Sequence, residues 1–95
     1  KGFDDFIYEN AKEAFDEQDY DYAIGLYEQS LKANPVNSDI WYEMSRCLSL
    51  KNIKKGVIIA LTQAVTLDSK LKEKAKKDKG FQWLWEDEDF KKLTE

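Results

Sequence analysis

Shifted against itself by 34 residues, the chain returns to the same residue types at the same places. Asp5 falls on Asp39, Tyr8 on Tyr42, Glu9 on Glu43, Ile24 on Ile58 and Gln29 on Gln63. Related residues coincide as well: Ile7 with Trp41, Ala11 with Ser45, Lys12 with Arg46, Tyr27 with Leu61 and Leu31 with Val65. A repeat of this length carrying two helices has an apolar face that only a stacked neighbour can cover, and the product is a helical solenoid. At 95 residues the chain holds two such units and a remainder, which together make one domain.

The apolar spacing places the helices. Phe3, Phe6, Ile7, Ala11, Ala14 and Phe15 recur at gaps of three and four and form one stripe. Asp16 to Asp21 is a polar turn in which Asp19 is suited to cap the next helix. Tyr20, Ala23, Ile24, Tyr27 and Leu31 make the second stripe, which Asn34-Pro35 ends because proline pushes the residue before it out of the α region. Asn37 or Ser38 can cap a third helix with Ile40, Trp41, Met44, Cys47 and Leu48 turned inward. In a fourth element, roughly 53–67, the run Val57 to Leu61 is apolar and rich in β-branched residues, so propensity alone allows a strand. Its length and flanking pattern predict a helix buried on more than one side.

The segment Asp19 to Pro35 (DYDYAIGLYEQSLKANP) resembles the second helix of a tetratricopeptide repeat, with Ala23, Tyr27, Ser30 and Pro35 at that family's small, aromatic, small and proline positions. Ile7, Asn10 and Ala11 stand at the matching places of the first helix. Trp41, Met44, Ser45, Leu48, Val57, Leu61 and Ala64 stand at those of the second unit. The resemblance covers roughly 4–69. It implies an all-α, helix–turn–helix solenoid with repeat one at about 4–37, repeat two at about 38–71 and a C-terminal helical cap at about 72–95. Beginning at Lys1 rather than a methionine, the chain is expected to be a piece of a longer protein.

Past residue 69 the pattern changes. Lys70 to Lys79 reads as a lysine-rich helix with Leu71 and Ala75 inward. Two copies of one phrase follow, nine residues apart: Asp78, Phe81 and Leu84, then Asp87, Phe90 and Leu93. In each, aspartate can cap a turn and the apolar pair falls on one face. Phe81, Trp83, Leu84, Phe90 and Leu93 are thus suited to cover the end of the last helix pair, which a solenoid requires.

Composition narrows the function. Histidine is absent, which removes the commonest general base and metal ligand. The single cysteine, Cys47, excludes an internal disulfide and reads as a small buried thiol. Glycine-rich phosphate loops are missing. The acidic runs Asp16 to Asp21 and Glu86 to Asp89 lack the glycine and terminal glutamate of a calcium loop, and read as caps and solvated surface. No enzyme, cofactor or metal site is expected. Neither a signal peptide nor an apolar run of membrane-spanning length is present, which makes a cytoplasmic location the expectation. Charge is uneven: residues 1–50 sum to −7, 51–85 to +6 and 86–95 to −3. This polarity either orients a partner or reflects solvated faces. Nucleic-acid binding usually adds arginine and stacking aromatics to lysine, and Arg46 is the only arginine.

The candidate partner-binding residues are Asp5, Tyr8, Glu9, Lys12 and Phe15 with their repeat-mates Asp39, Tyr42, Glu43, Arg46 and Ser49. In the resembled family this face of each first helix lines a concave groove that holds peptides. Tyrosine beside a cation recurs in both units; rings contribute apolar area and charges fix direction. The competing reading is that Tyr8 and Tyr42 pack between stacked helices. A family subset that clamps a C-terminal carboxylate needs lysine and asparagine where Tyr8 and Glu43 stand, so that clamp is not implied. The expected function is non-catalytic protein–protein interaction, as scaffold or adaptor, through a protein or peptide partner. The alternatives are a structural cap or self-association module of a longer array, and an anion-binding module using the lysine helix.

Overall fold

In the computed structural model, which describes residues 3–95, all regular structure is helical: α1 Phe3–Asp16, α2 Tyr20–Ala33, α3 Ser38–Leu50, α4 Lys54–Leu67, α5 Leu71–Lys77, a 3-10 turn Lys79–Leu84 and α6 Glu88–Leu93. The side chain of Phe3, assigned above to the first stripe, lies outside the described set, as do Lys1 and Gly2. Val57 to Leu61 lies within α4 and not in a strand. No helix among the described residues is long and apolar enough to cross a membrane.

The 34-residue period recurs in the backbone. Two residues past the ends of α1 and α3 stand residues with left-handed φ, Gln18 at 64° and Asn52 at 61°. The same two hydrogen bonds tie each turn. Gln18 N–H donates to Phe15 O and Asp19 N–H to Ala14 O, at 2.9 and 2.8 Å; Asn52 N–H donates to Ser49 O and Ile53 N–H to Leu48 O, at 2.9 and 3.0 Å. These bonds satisfy carbonyls that a helix end otherwise leaves open. Side-chain caps fall where the sequence indicates. Asp19 accepts from Tyr22 N–H at 3.3 Å, Asn37 from Ile40 N–H at 3.2 Å and Asp78 from Gly80 N–H at 2.9 Å. Asp87 accepts from Asp89 and Phe90 N–H at 2.9 and 3.2 Å, and also pairs with Lys54 at 2.8 Å.

Successive helices pack side by side, α1 on α2, α2 on α3 and α3 on α4. α3 is the centre of the molecule and is buried on two faces. Ile40, Met44 and Cys47 join Ala11, Ala14, Ala23, Tyr27 and Leu31 in one apolar cluster. Tyr42 joins Val57, Leu61, Ala64 and Val65 of α4 with Leu71, Ala75, Phe81, Leu84 and Phe90 of the C-terminal segments in another. Gly56 permits the close approach of α3 and α4, since a Cβ there would stand 3.2 Å from Leu48 Cδ1.

The inward set changes in places, and Phe6 of the first stripe is 66% exposed. Trp41 and Leu48 are only half-buried; Trp41 bridges the two clusters and its Nε1–H donates to Pro35 O at 2.8 Å. Trp83, expected to help cover the last helix pair, is 47% exposed. The 3-10 geometry explains this: at three residues per turn Phe81 and Leu84 share a face, and Trp83 falls on another.

Candidate interaction site

The ten residues singled out above divide into two groups by what covers them. In the second unit the covering belongs to the chain itself. Tyr42 is 1% exposed, packs edge-on against Phe81 with centroids 5.7 Å apart, and donates its hydroxyl proton to Asp78 Oδ2 at 2.8 Å. Burial, followed by the Asp78 hydrogen bond, pushes its ionisation far up. Lys74 Nζ sits 4.7 Å over its ring. Ser49 is fully buried; its hydroxyl donates to Gly80 O and accepts from Trp83 Nε1–H at 2.8 Å. Arg46 is held between Glu43, at 3.1 Å, and Asp78, at 3.0 Å. Its Nε lies beside Asp78 Oδ2 without being directed at it, so that contact is coulombic. Burial works against the guanidinium charge, but Asp78 and Glu43 outweigh it and hold the group protonated.

Tyr42 and Ser49 are therefore not surface residues awaiting a partner. The expectation that Tyr42 lies outside the buried set is corrected: the segment from Asp78 to Leu84 docks on the face of α3 that the sequence pattern presents as polar. The ring, the hydroxyls and the guanidinium all bind that segment.

In the first unit the equivalent face stays open. Tyr8 lines two hollows of about 290 Å³ each. One lies at the start of α1 and α3 and is bounded by Asp5, Asn37, Asp39 and Ile40. The other is bounded by Lys12, Phe15, Asp16, Tyr27, Glu43 and Arg46. Tyr8 is half-buried, and burial first, then the carboxylates of Glu43 and Asp39, raises its ionisation. Arg46 lies 4.8 Å over the Phe15 ring, which in turn packs edge-on against Tyr20. Asp5, Tyr8, Lys12, Phe15, Asp39, Glu43 and Arg46 are thus brought together along one strip, while Glu9 is exposed and lines neither hollow.

Tyr27 was read as core and is core, at 1% exposed, and it also lines the second hollow. The signal was a phenol at a position where a plain ring would pack equally well. Cys47 is fully buried, and burial, then Glu43, pushes its thiol up to about 12, so it stays protonated and inert. The lysines of α5 are partly engaged: Lys76 pairs with Glu73 at 3.1 Å, Lys72 donates to Glu95 O and Lys74 covers Tyr42. A wider depression of about 500 Å³ between α5 and α6 has its two lysines, Lys76 and Lys91, paired with Glu73 and Glu86. No family model, curated protein or solved structure matches the chain.

Proposed function

We propose that the chain is a non-catalytic protein-interaction module, two tetratricopeptide-like helix pairs closed by a C-terminal cap, which holds an extended segment of a partner along α1 and α3. The observation that carries this reading is the pair of hollows meeting at Tyr8, with rings and charges alternating along them. Such a surface gives a peptide apolar contact and a direction. Its inner wall is α3, which the docked tail fixes from behind, so the strip is largely formed before a partner arrives and ordering costs on binding are small.

A second reading, that the chain closes a longer repeat array, draws on Phe6 and Tyr22. These rings of the first helix pair are 66% and 58% exposed and would be covered by a preceding unit.

Selection of peptides from a random displayed library, on the chain and on Tyr8→Ala/Asp39→Ala, tests the proposal. Both side chains lie on the open strip, so the double variant keeps its helicity and loses the selected peptides. Peptides that bind both proteins alike, or a selection that enriches nothing, would contradict an interaction strip at α1 and α3.

A further inference from the structure

The chemistry of the occupant follows from charge and from one buried hydroxyl. Among the ionic groups that line the two hollows, Arg46 is already neutralised by Glu43 and by Asp78 behind it. Lys12 remains as the one cation on the strip without an ion pair among the described residues, against Asp5, Asp16 and Asp39, which likewise carry none. Four carboxylates, Asp5, Asp16, Asp39 and Glu43, against Lys12 and Arg46 leave the strip net negative.

Tyr27 supplies the independent observation. It is 1% exposed, and its hydroxyl makes no hydrogen bond among the described residues. Tyr27 lines the second hollow, beside Tyr8, Glu43 and Arg46. A nearly buried phenol that lines a hollow and makes no hydrogen bond among the described residues is suited to a ligand polar group, since buried hydroxyls are ordinarily paired.

We propose, building on the interaction reading above, that the strip takes a basic extended segment of a partner protein, whose backbone meets the Tyr27 hydroxyl and whose lysine or arginine side chains face Asp5 and Asp39. From Asp5 to Asp16 the helix rises about 16 Å, a distance that about five residues of extended chain cover. Opposite charge at that spacing fixes which way the segment runs and speeds its capture at low salt.

Three capped hexapeptides test this, alternating alanine with lysine, glutamate or glutamine, each titrated into the intact chain and followed by amide NMR shifts. The lysine peptide is expected to move resonances around Tyr8, Phe15 and Tyr27 and to weaken as salt rises. Asp5→Asn/Asp39→Asn should weaken it about tenfold, the loss of two exposed ion pairs. Glu13→Gln/Glu28→Gln removes the same charge from residues that line neither hollow and should change it less than about twofold. Tyr27→Phe, which deletes only the oxygen, should weaken all binding at the strip. If the glutamate or glutamine peptide moves the same resonances more tightly, the interaction reading stands and the basic specificity is wrong. If all three peptides leave the strip unmoved, both fail. Equal losses in the two charge-removing variants would reduce the effect to bulk charge and overturn the site. Shifts on the strip that follow protein concentration alone would make a second copy the occupant and overturn the proposal as well.

Discussion

Tyr8 and Tyr42 occupy equivalent places in the repeat and have opposite fates. Tyr42 is closed over by Asp78, Phe81 and Lys74, while Tyr8 faces two hollows. Tyr42→Ala is therefore expected to cost about 3–5 kcal/mol, the range for a large ring deleted from a core. It also leaves Asp78 without its hydroxyl donor. Tyr8→Ala should cost no more than about half as much, since one side of that ring is already free. Chemical denaturation of both variants checks the order, and equal losses would show that the two units are covered alike. The same buried groups set an alkaline limit. Cys47, Tyr27 and Tyr42 all hold their protons to higher pH in the fold than in the unfolded chain, chiefly because burial penalises the anion. From about pH 8.5, where unfolded thiols begin to ionise, the unfolded state binds fewer protons than the native state, so stability falls as pH rises. Each group contributes at most about 1.4 kcal/mol per pH unit. Urea midpoints between pH 8 and 11 should decline, and Cys47→Ala should flatten the first part of that decline. A flat profile would mean that these groups are not held protonated.

The helices were legible in the sequence because each writes its own spacing locally. Asp19 and Asn37 announce two helix starts, Asn34-Pro35 one end, and the 34-residue period the pairing of the rest. The second buried face of α3 was not legible. Tyr42, Arg46 and Ser49 fall beside the apolar stripe and read as an open polar face, because what covers them lies some thirty residues downstream. The same is true of Trp83, whose indole N–H reaches back to Ser49, a partner that local spacing does not show. Phe81, Leu84 and Phe90 each contribute about 1.5–3 kcal/mol through burial, together comparable with the whole stability of a small domain. Removing residues 78–95 should accordingly abolish cooperative melting by circular dichroism. An unchanged midpoint would show that the tail rests on the fold without supporting it.

At the scale of the molecule the tail decides which helix pair keeps an open face. It closes the second helix pair and leaves the acidic strip of the first as the open face, with the charge polarity of the sequence separating an acidic half from a lysine-rich one. If the tail opened readily, Tyr42, Arg46 and Ser49 would become available and the strip would run on along α3. Native-state amide hydrogen exchange distinguishes the two cases. The amides of Phe81, Trp85 and Thr94, which donate to Asp78 O, Gln82 O and Phe90 O at 2.9, 3.2 and 3.1 Å, are the reporters. They should exchange only through global unfolding, with the same free energy and denaturant dependence as the most protected amides of α3 and α4. Exchange through a smaller opening, several kcal/mol below the global value and nearly independent of denaturant, would contradict a built-in cap and return the α3 residues to the open surface.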